Sequence, residues 1–468
     1  MQDIDTTTIC IPDDIAHSLR VNAGAFLGSN HEREKPKEIV RSEIRRQLPS
    51  GPVRVFVDLM PMQRYGQSPI TIEDESQIEP FLDRLHAIIE NCAYKVPSTP
   101  GSEPSIRSVQ SFDGQKLYRY NASECPKSGT AKDVYSSPDD TYVVAFYKER
   151  PNAVELDRLV NLVGPVREQV FARQSDRNRL NGLSCWPADV VTRSNGRIGL
   201  IVPAFPKNFF FKTTGSDAKI SLCGKEKGGS WFANPAQRFG LVAPSERGDF
   251  RGMLSCCCLI ALAVDAIHEV GLAHGNISTH SVLVDPVAGD ALLADCDIVF
   301  KPGESASSVI GPMGFIAPEI VETCNNPQEP QVLPNQETDR HSLAVLIYSL
   351  LLCRHPLEGA AVWDEDDEER DHNLTYGEKA LFIEHPTDKR NRYDWNWVVE
   401  DSNKKDIPFL SPWRDLDVLP YTKLGPHLSP LVERAFVDGL HNPSARPTAA
   451  EWANALEKTI PLNLSIPN

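Results

Sequence analysis

The pattern of apolar and polar positions changes character along the chain. Before residue 100 both periods occur. "HEREKPKEIVRSEIRRQL" is charged and helical in character, "PVRVFVDLMPM" reads as a strand, and "SQIEPFLDRLHAIIENC" spaces its apolar residues as an amphipathic helix does. These segments predict a small α/β appendage over 1–95, with no chemical motif. "VPSTPGSEPS" is rich in Pro, Ser and Gly and predicts a linker over 96–106. Short β-rich runs follow: "KLYRYNA", "AKDVYSS", "TYVVAFYKE" and "GRIGLIVPAF". From about residue 250 the pattern turns helical. A β-rich block followed by a helical one predicts the α+β class. No internal repeat is visible.

Composition narrows this picture. The chain has 468 residues, 41% of them hydrophobic and 24% charged, as in folded globular proteins. Its net charge is −16, which repels phosphate backbones, so nucleic acid is not an expected partner. The first residues, "MQDIDTTTICIPDDIAHSL", lack the basic and apolar regions of a signal peptide. The longest apolar runs, "MLSCCCLIALAVDAI" and "LAVLIYSLLLC", fall short of the roughly 20 residues of a membrane span and read as core helices. A cytoplasmic protein without a membrane partner is expected. Cys256, Cys257 and Cys258 are consecutive, so on a helix they diverge and act as small core hydrophobes. "DEDDEERD", Asp364 to Asp371, reads as a solvated loop. "KNFFFKTTG" reads as aromatic packing.

Five segments share one further likeness. "LIALAVDAIHEVGLAHGNISTHSVLVD" resembles the helix, H-R-D-x-x-x-x-N loop and hairpin of protein kinases. "ALLADCDIVF" stands where kinases carry D-F-G, and "GPMGFIAPEIV" contains A-P-E. "ETDRHSLAVLIYSLLLCRHPL" resembles the long buried helix of the kinase C-lobe, and "HNPSARPTAAEWANAL" its R-P-T segment. The five occur in the kinase order and at kinase spacing. The resemblance implies a two-lobed protein-kinase-like fold, with an N-lobe over 107–210 and a C-lobe over 211–465. "YGEKALFIEHPTDKRNR" and "LVERAFVDGLHNPSARPTAAEW" further resemble a bacterial kinase-like group. That group is often encoded with a PP2C-type phosphatase and a von Willebrand factor A (vWA) protein of the tellurium-resistance type. Those two proteins are therefore the implied partners, in a phospho-signalling or stress-response setting.

The site implied by the resemblance is degenerate. Phosphoryl transfer needs a base, metal ligands, a lysine clamp and a phosphate lid. At the base position stands Asn276, which has no carboxylate. General-base catalysis contributes roughly 10²–10⁴-fold, so this change alone cripples transfer. Asp295 retains a metal position, whereas Ser281 replaces the second ligand, Asn, and Asp297 replaces the D-F-G glycine. A V-A-x-K match puts Tyr147 at the lysine position. Strand alternation puts Lys148 on the face of Phe146, which makes Lys148 the candidate clamp. Glu168 is its candidate partner, with Glu155 the runner-up. The lid region has one glycine, Gly129, with Lys127 or Lys132 able to help. The structural positions are intact: Glu319 and Arg446 as an expected ion pair, and Asp339 as an expected acceptor for the catalytic-loop backbone. Ser305, Ser307 and Ser308 are candidate phosphorylation sites in the activation segment. Three functions remain open: a pseudokinase acting as a nucleotide-responsive module, with ATP and Mg²⁺ as the candidate ligands, or purely as a scaffold; an atypical Ser/Thr kinase or other ATP-dependent phosphoryl or nucleotidyl transferase; and an interaction module using the N-terminal region and "GEKALFIEHP".

Overall fold

The computed structural model describes residues 106–122, 127–128, 131–172, 182–213, 222–303, 311–325, 330–392 and 420–462, with short stretches between 7 and 82. The chain is an α+β protein. It forms two compact units, Met1–Pro151 with Val191–Ile201, and Asn152–Val190 with Val202–Asn468. The expected lobe boundary at residue 210 is thereby corrected. The helical stretch after residue 152 belongs with the second unit, for a reason given by Arg158 below.

The first unit contains two sheets. In the smaller, β1 (Thr7–Ile11) runs parallel to β2 (Val53–Val57), which pairs antiparallel with β3 (Ile70–Ile72). Ile44, Ile72, Ile78 and Leu82 are buried in this appendage, and Arg41 forms an ion pair with Glu79 at 2.6 Å. The larger sheet comprises β4 (Ile106–Ser111), β5 (Leu117–Asn121), β6 (Lys127–Ser128), β7 (Lys132–Ser136), β8 (Tyr142–Tyr147), β9 (Asp189–Thr192) and β10 (Ile198–Pro203). Its order is β5-β4-β9-β10-β8-β7-β6. An edge strand presents unpaired backbone groups. On edge strand β5, the Tyr142 hydroxyl engages them, accepting from Arg119 N at 2.9 Å and donating to Arg119 O at 2.8 Å. One face of β7 and β8 is aromatic: Phe146 is fully buried, edge-on to Tyr120 and Tyr135, and the Arg193 guanidinium lies 4.0 Å from its ring centre.

The second unit is mostly helical. Its labelled helices are α1 (Ala153–Asn161), α2 (Arg167–Ala172), α3 (Phe250–Glu269), α4 (Pro318–Asn325), α5 (Gln336–Leu352), α6 (Glu368–Tyr376) and α7 (Ala449–Thr459). An antiparallel hairpin joins β11 (Val282–Asp285) to β12 (Asp290–Leu293). Asp249 caps α3 by accepting from Gly252 N at 2.7 Å. By length and composition α3 could cross a membrane, but most of it is buried within the second unit, against α5, α7 and β12. Cys256, Cys257 and Cys258 are buried there. Burial raises the Cys256 and Cys257 thiols well above their usual range.

Two sequence expectations change here. The acidic run is not wholly a loop, because its second half opens α6. Asp367 caps that helix, and carboxylates in a first turn sit favourably at the positive end of the helix dipole. The "GEKALFIEHP" segment is part core and part surface, with Glu378, Lys379 and Pro386 exposed. Phe382 and Ile383 are buried, and Glu384 is bound to Arg354 at 2.5 Å and to the backbone N of Tyr421 at 3.0 Å.

Candidate functional site

The loop His274–Ser281 is held from beneath by Asp339, which is 1% exposed. Its carboxylate accepts from His274 N at 2.7 Å, Gly275 N at 2.8 Å and the His268 ring N–H at 3.0 Å. His274 is fully buried, with Nε2 3.1 Å from Ala294 O, so it packs the loop. Gly275 adopts φ +76°, and a Cβ there would meet Phe300 Cε1 at 2.6 Å. Phe300 is fixed in turn, because it exchanges backbone hydrogen bonds of 2.9 and 3.0 Å with Ala273. That close approach accounts for glycine at the position where H-R-D carries arginine.

Asn276 faces Gly311. A Cβ on Gly311 would lie 2.6 Å from Asn276 Oδ1, so the Gly311 backbone packs directly on the amide. The amide oxygen is buried and bonds to none of the described residues. A cavity of about 20 Å³ beside it has room for a single water. An amide at residue 276 has no carboxylate with which to take up a proton.

The metal positions are altered too. Ser281 is fully buried. Its hydroxyl accepts from Ser278 N at 2.9 Å and donates to Ser278 O at 3.1 Å. It closes a local turn, which corrects its candidacy as a metal ligand. Asp295 is exposed and adopts φ +54°, a conformation that Asp tolerates better than most residues. Asp297 is 6% exposed. Burial, with the Asp295 and Asp297 carboxylates nearby, pushes the Cys185 thiol up to about 12. Among the described residues no three His, Cys, Asp or Glu side chains converge as a metal site. With the Ser281 hydroxyl spent in its own turn, the donor set does not fit a kinase-type Mg²⁺ pair.

Sequence reasoning missed Arg158. On α1 it pairs with Glu155, with bonds of 2.6 and 2.9 Å, and donates to Asp297 O at 2.7 Å and Val299 O at 2.6 Å. It thereby latches α1 to the segment after Asp295, which is why α1 belongs with the second unit. Glu155 is committed to this pair. The i,i+3 spacing of Glu155 and Arg158 was the available signal. Glu168 is exposed on α2. Lys148 is exposed and lies beyond the end of β8, so the alternation argument for it fails. Gly129, Ser305, Ser307 and Ser308 lie outside the described residues.

Glu319 and Arg446 form a bidentate pair, with both N···O distances 2.7 Å. The Arg446 side chain is 1% exposed and also donates to the carbonyls of Glu337, Gly439 and Leu440. This arginine therefore ties α4, the start of α5 and the segment before α7 to one another.

No family model matches the chain. It is 31% identical over 101 residues to calcium-dependent protein kinase 24 of Oryza sativa subsp. japonica, a match spanning 21% of this chain and 18% of that protein. It is likewise 31% identical over 96 residues to calcium-dependent protein kinase SK5 of Glycine max, spanning 20% of this chain and 17% of that one. The chain thus spans less than a fifth of these relatives. A rhoptry kinase from Toxoplasma gondii aligns over 78% of this chain and 85% of its own, at 13% identity and a TM-score of 0.42. The kinase domain of a Toxoplasma gondii specific rhoptry antigen aligns over 59% and 79%, at 12% identity and a TM-score of 0.37.

Proposed function

We propose that this chain is a pseudokinase-type regulatory protein, which keeps a kinase-like scaffold, responds to a nucleotide as a ligand and does not transfer its phosphate. One observation carries the reading: the base position is an amide whose oxygen is buried beneath Gly311. The Ser281 hydroxyl, spent inside its own turn, supports it. On the same reading the protein is cytoplasmic and acts in a bacterial phospho-signalling or stress-response system. Its proposed partners are a PP2C-type phosphatase and a vWA-domain protein.

The test is incubation of the full chain with γ-labelled ATP and Mg²⁺ or Mn²⁺. Label transfer and ATP turnover should not exceed those of Asp295→Ala. Asn276→Asp should not create activity, because the new carboxylate would sit buried under Gly311. Metal-dependent autophosphorylation by the unmodified chain, lost on Asp295→Ala, would establish the alternative, an atypical transferase using Asp295.

A further inference from the structure

Two arginines flank the turn between β9 and β10, and they differ in what their side chains bind. The turn is closed by Arg193 N donating to Arg197 O at 2.9 Å and Gly196 N donating to Arg193 O at 2.8 Å. Both guanidinium groups lie near Phe146, at 4.0 and 5.9 Å from its ring centre. Arg197 is spent, donating to Asp133 at 2.5 Å and to Tyr147 O at 2.8 Å. Arg193 is not. Its Nε is buried without a hydrogen-bond partner, and among the described residues no carboxylate or carbonyl accepts from its side chain. Besides Phe146 its neighbours are the rings of Tyr120 at 5.2 Å and Tyr135 at 5.3 Å. Rings hold a guanidinium by cation–π attraction but satisfy none of its five N–H donors in the way an oxygen does. Among the described residues no group bonds to the Tyr120 or Tyr135 hydroxyl either. Polar groups withdrawn from water in folded proteins are nearly always satisfied, so this cluster calls for an acceptor from outside the chain.

We infer that Arg193, Tyr120 and Tyr135 form a binding site for a phosphate group, carried on a phosphorylated side chain or free in solution. The guanidinium is a planar fork that grips two oxygens at once. Stacked among three rings, it is ordered before the ligand arrives, so little side-chain freedom is lost on binding. The two phenol rings lie 5.3 Å apart, which adds two hydroxyl donors to the same cluster. A carboxylate has two oxygens, and the fork alone would occupy both. A phosphate monoester brings three oxygens and nearly two negative charges, enough for the fork and the hydroxyls together. Charge points the same way. The chain carries −16 overall, yet Asp133, set opposite Phe146 in the ladder, is neutralised by Arg197, which leaves the Arg193 charge uncompensated within the cluster. Arg193 and Tyr135 are only partly buried, so an ion reaches them from the surface and needs no enclosed cavity. The cluster shares no residue with the loop around Asn276 and does not depend on whether the chain binds ATP.

The test is calorimetric titration of the full chain with O-phosphoserine, inorganic phosphate and acetate, in EDTA. The proteins are the wild type, Arg193→Met, which keeps an apolar stem over Phe146, Arg193→Lys, which keeps the charge without the fork, and Tyr135→Phe. Arg167→Met is the control, because Arg167 stacks on the single ring of Phe171 at 4.8 Å. Circular dichroism and melting without ligand show that each variant is folded; should Arg193→Met fail to fold, Arg193→Lys carries the test. Wild type should bind one equivalent of phosphate or phosphoserine, at least about tenfold tighter than acetate. Arg193→Met should weaken that binding about tenfold or more, the scale of a charged hydrogen bond, and Tyr135→Phe about threefold, the scale of a neutral one. Arg193→Lys should weaken it at least about threefold, and Arg167→Met should stay within about twofold of wild type. Phosphoserine binding tighter than inorganic phosphate assigns the site to a phosphorylated side chain, and the reverse order to the free ion. No saturable phosphate binding, acetate binding as tight as phosphate, or an affinity left unchanged by the Arg193 variants would overturn the proposal.

Discussion

Glu319→Ala tests whether the second unit is held together as described. The substitution leaves the Arg446 guanidinium, 1% exposed, without its carboxylate. Removing one partner of a buried pair typically costs about 3–5 kcal/mol, because a charge is stranded away from water. Here two facts lower the figure. The Glu319 side chain is 21% exposed, so water can reach the gap. Arg446 also keeps three backbone carbonyl acceptors, at 2.8 to 3.1 Å. A loss of about 2–3 kcal/mol follows, and in a unit of this size each kcal/mol lowers Tm by roughly 2–4 °C. Differential scanning fluorimetry should therefore show a Tm lower by about 5–10 °C, and urea denaturation a lower midpoint at similar slope. Asn276→Ala is the control, since Asn276 Oδ1 has no bond to lose among the described residues, and it should shift Tm far less. A Glu319→Ala protein melting within about 1 °C of wild type would refute the claim that this pair fastens α4 to the segment before α7.

Two other outcomes are expected. Gly275→Ala should destabilise by more than the roughly 1–2 kcal/mol of a left-handed residue, because its Cβ would also meet Phe300 at 2.6 Å; a Tm equal to wild type would contradict the loop geometry. His341 is buried, and neither ring nitrogen bonds to any of the described residues; burial, then Arg446, His355 and His441, hold it well below the usual imidazole range. Its neutral form is the folded one, so its contribution is complete above about pH 6.5 and is lost as pH falls toward the lowered folded value, at up to about 1.4 kcal/mol per pH unit. His341→Leu should flatten that slope in urea denaturation between pH 7.5 and 5.5, and an unchanged slope would sink the account.

How much of this was legible in the sequence depended on whether a role is fixed by residue type or by register. Glu319, Arg446 and Asp339 each stand at a fixed place in a recognisable motif, so the motif spacing located both ends of each interaction. The lysine strand was not legible in the same way. Alternation is valid only while a strand continues, and β8 stops at Tyr147, one residue before Lys148. Ser281 was ambiguous for a chemical reason, because a hydroxyl can serve a metal or close a local turn, and serines often do the latter. Gly311 carried no signal, because its effect is the approach of a backbone to Asn276. Arg158 was hidden because its acceptors are carbonyls more than a hundred residues away.

The loop itself explains why an amide stands at Asn276. Four of its inward polar groups build it: the backbone of His274 and Gly275 on Asp339, the His274 ring on Ala294, and the Ser281 hydroxyl on Ser278. A working base would need a carboxylate with solvent or a cation beside it to stay ionised. At Asn276 the side-chain oxygen is instead buried under the Gly311 backbone. Burial disfavours the charged form of a carboxyl and raises its pKa, so Asp here would tend to be neutral and unable to accept the proton. The lost charge and the covering glycine are therefore two sides of one arrangement. Restoring the base would require opening the segment at Gly311 as well as changing residue 276.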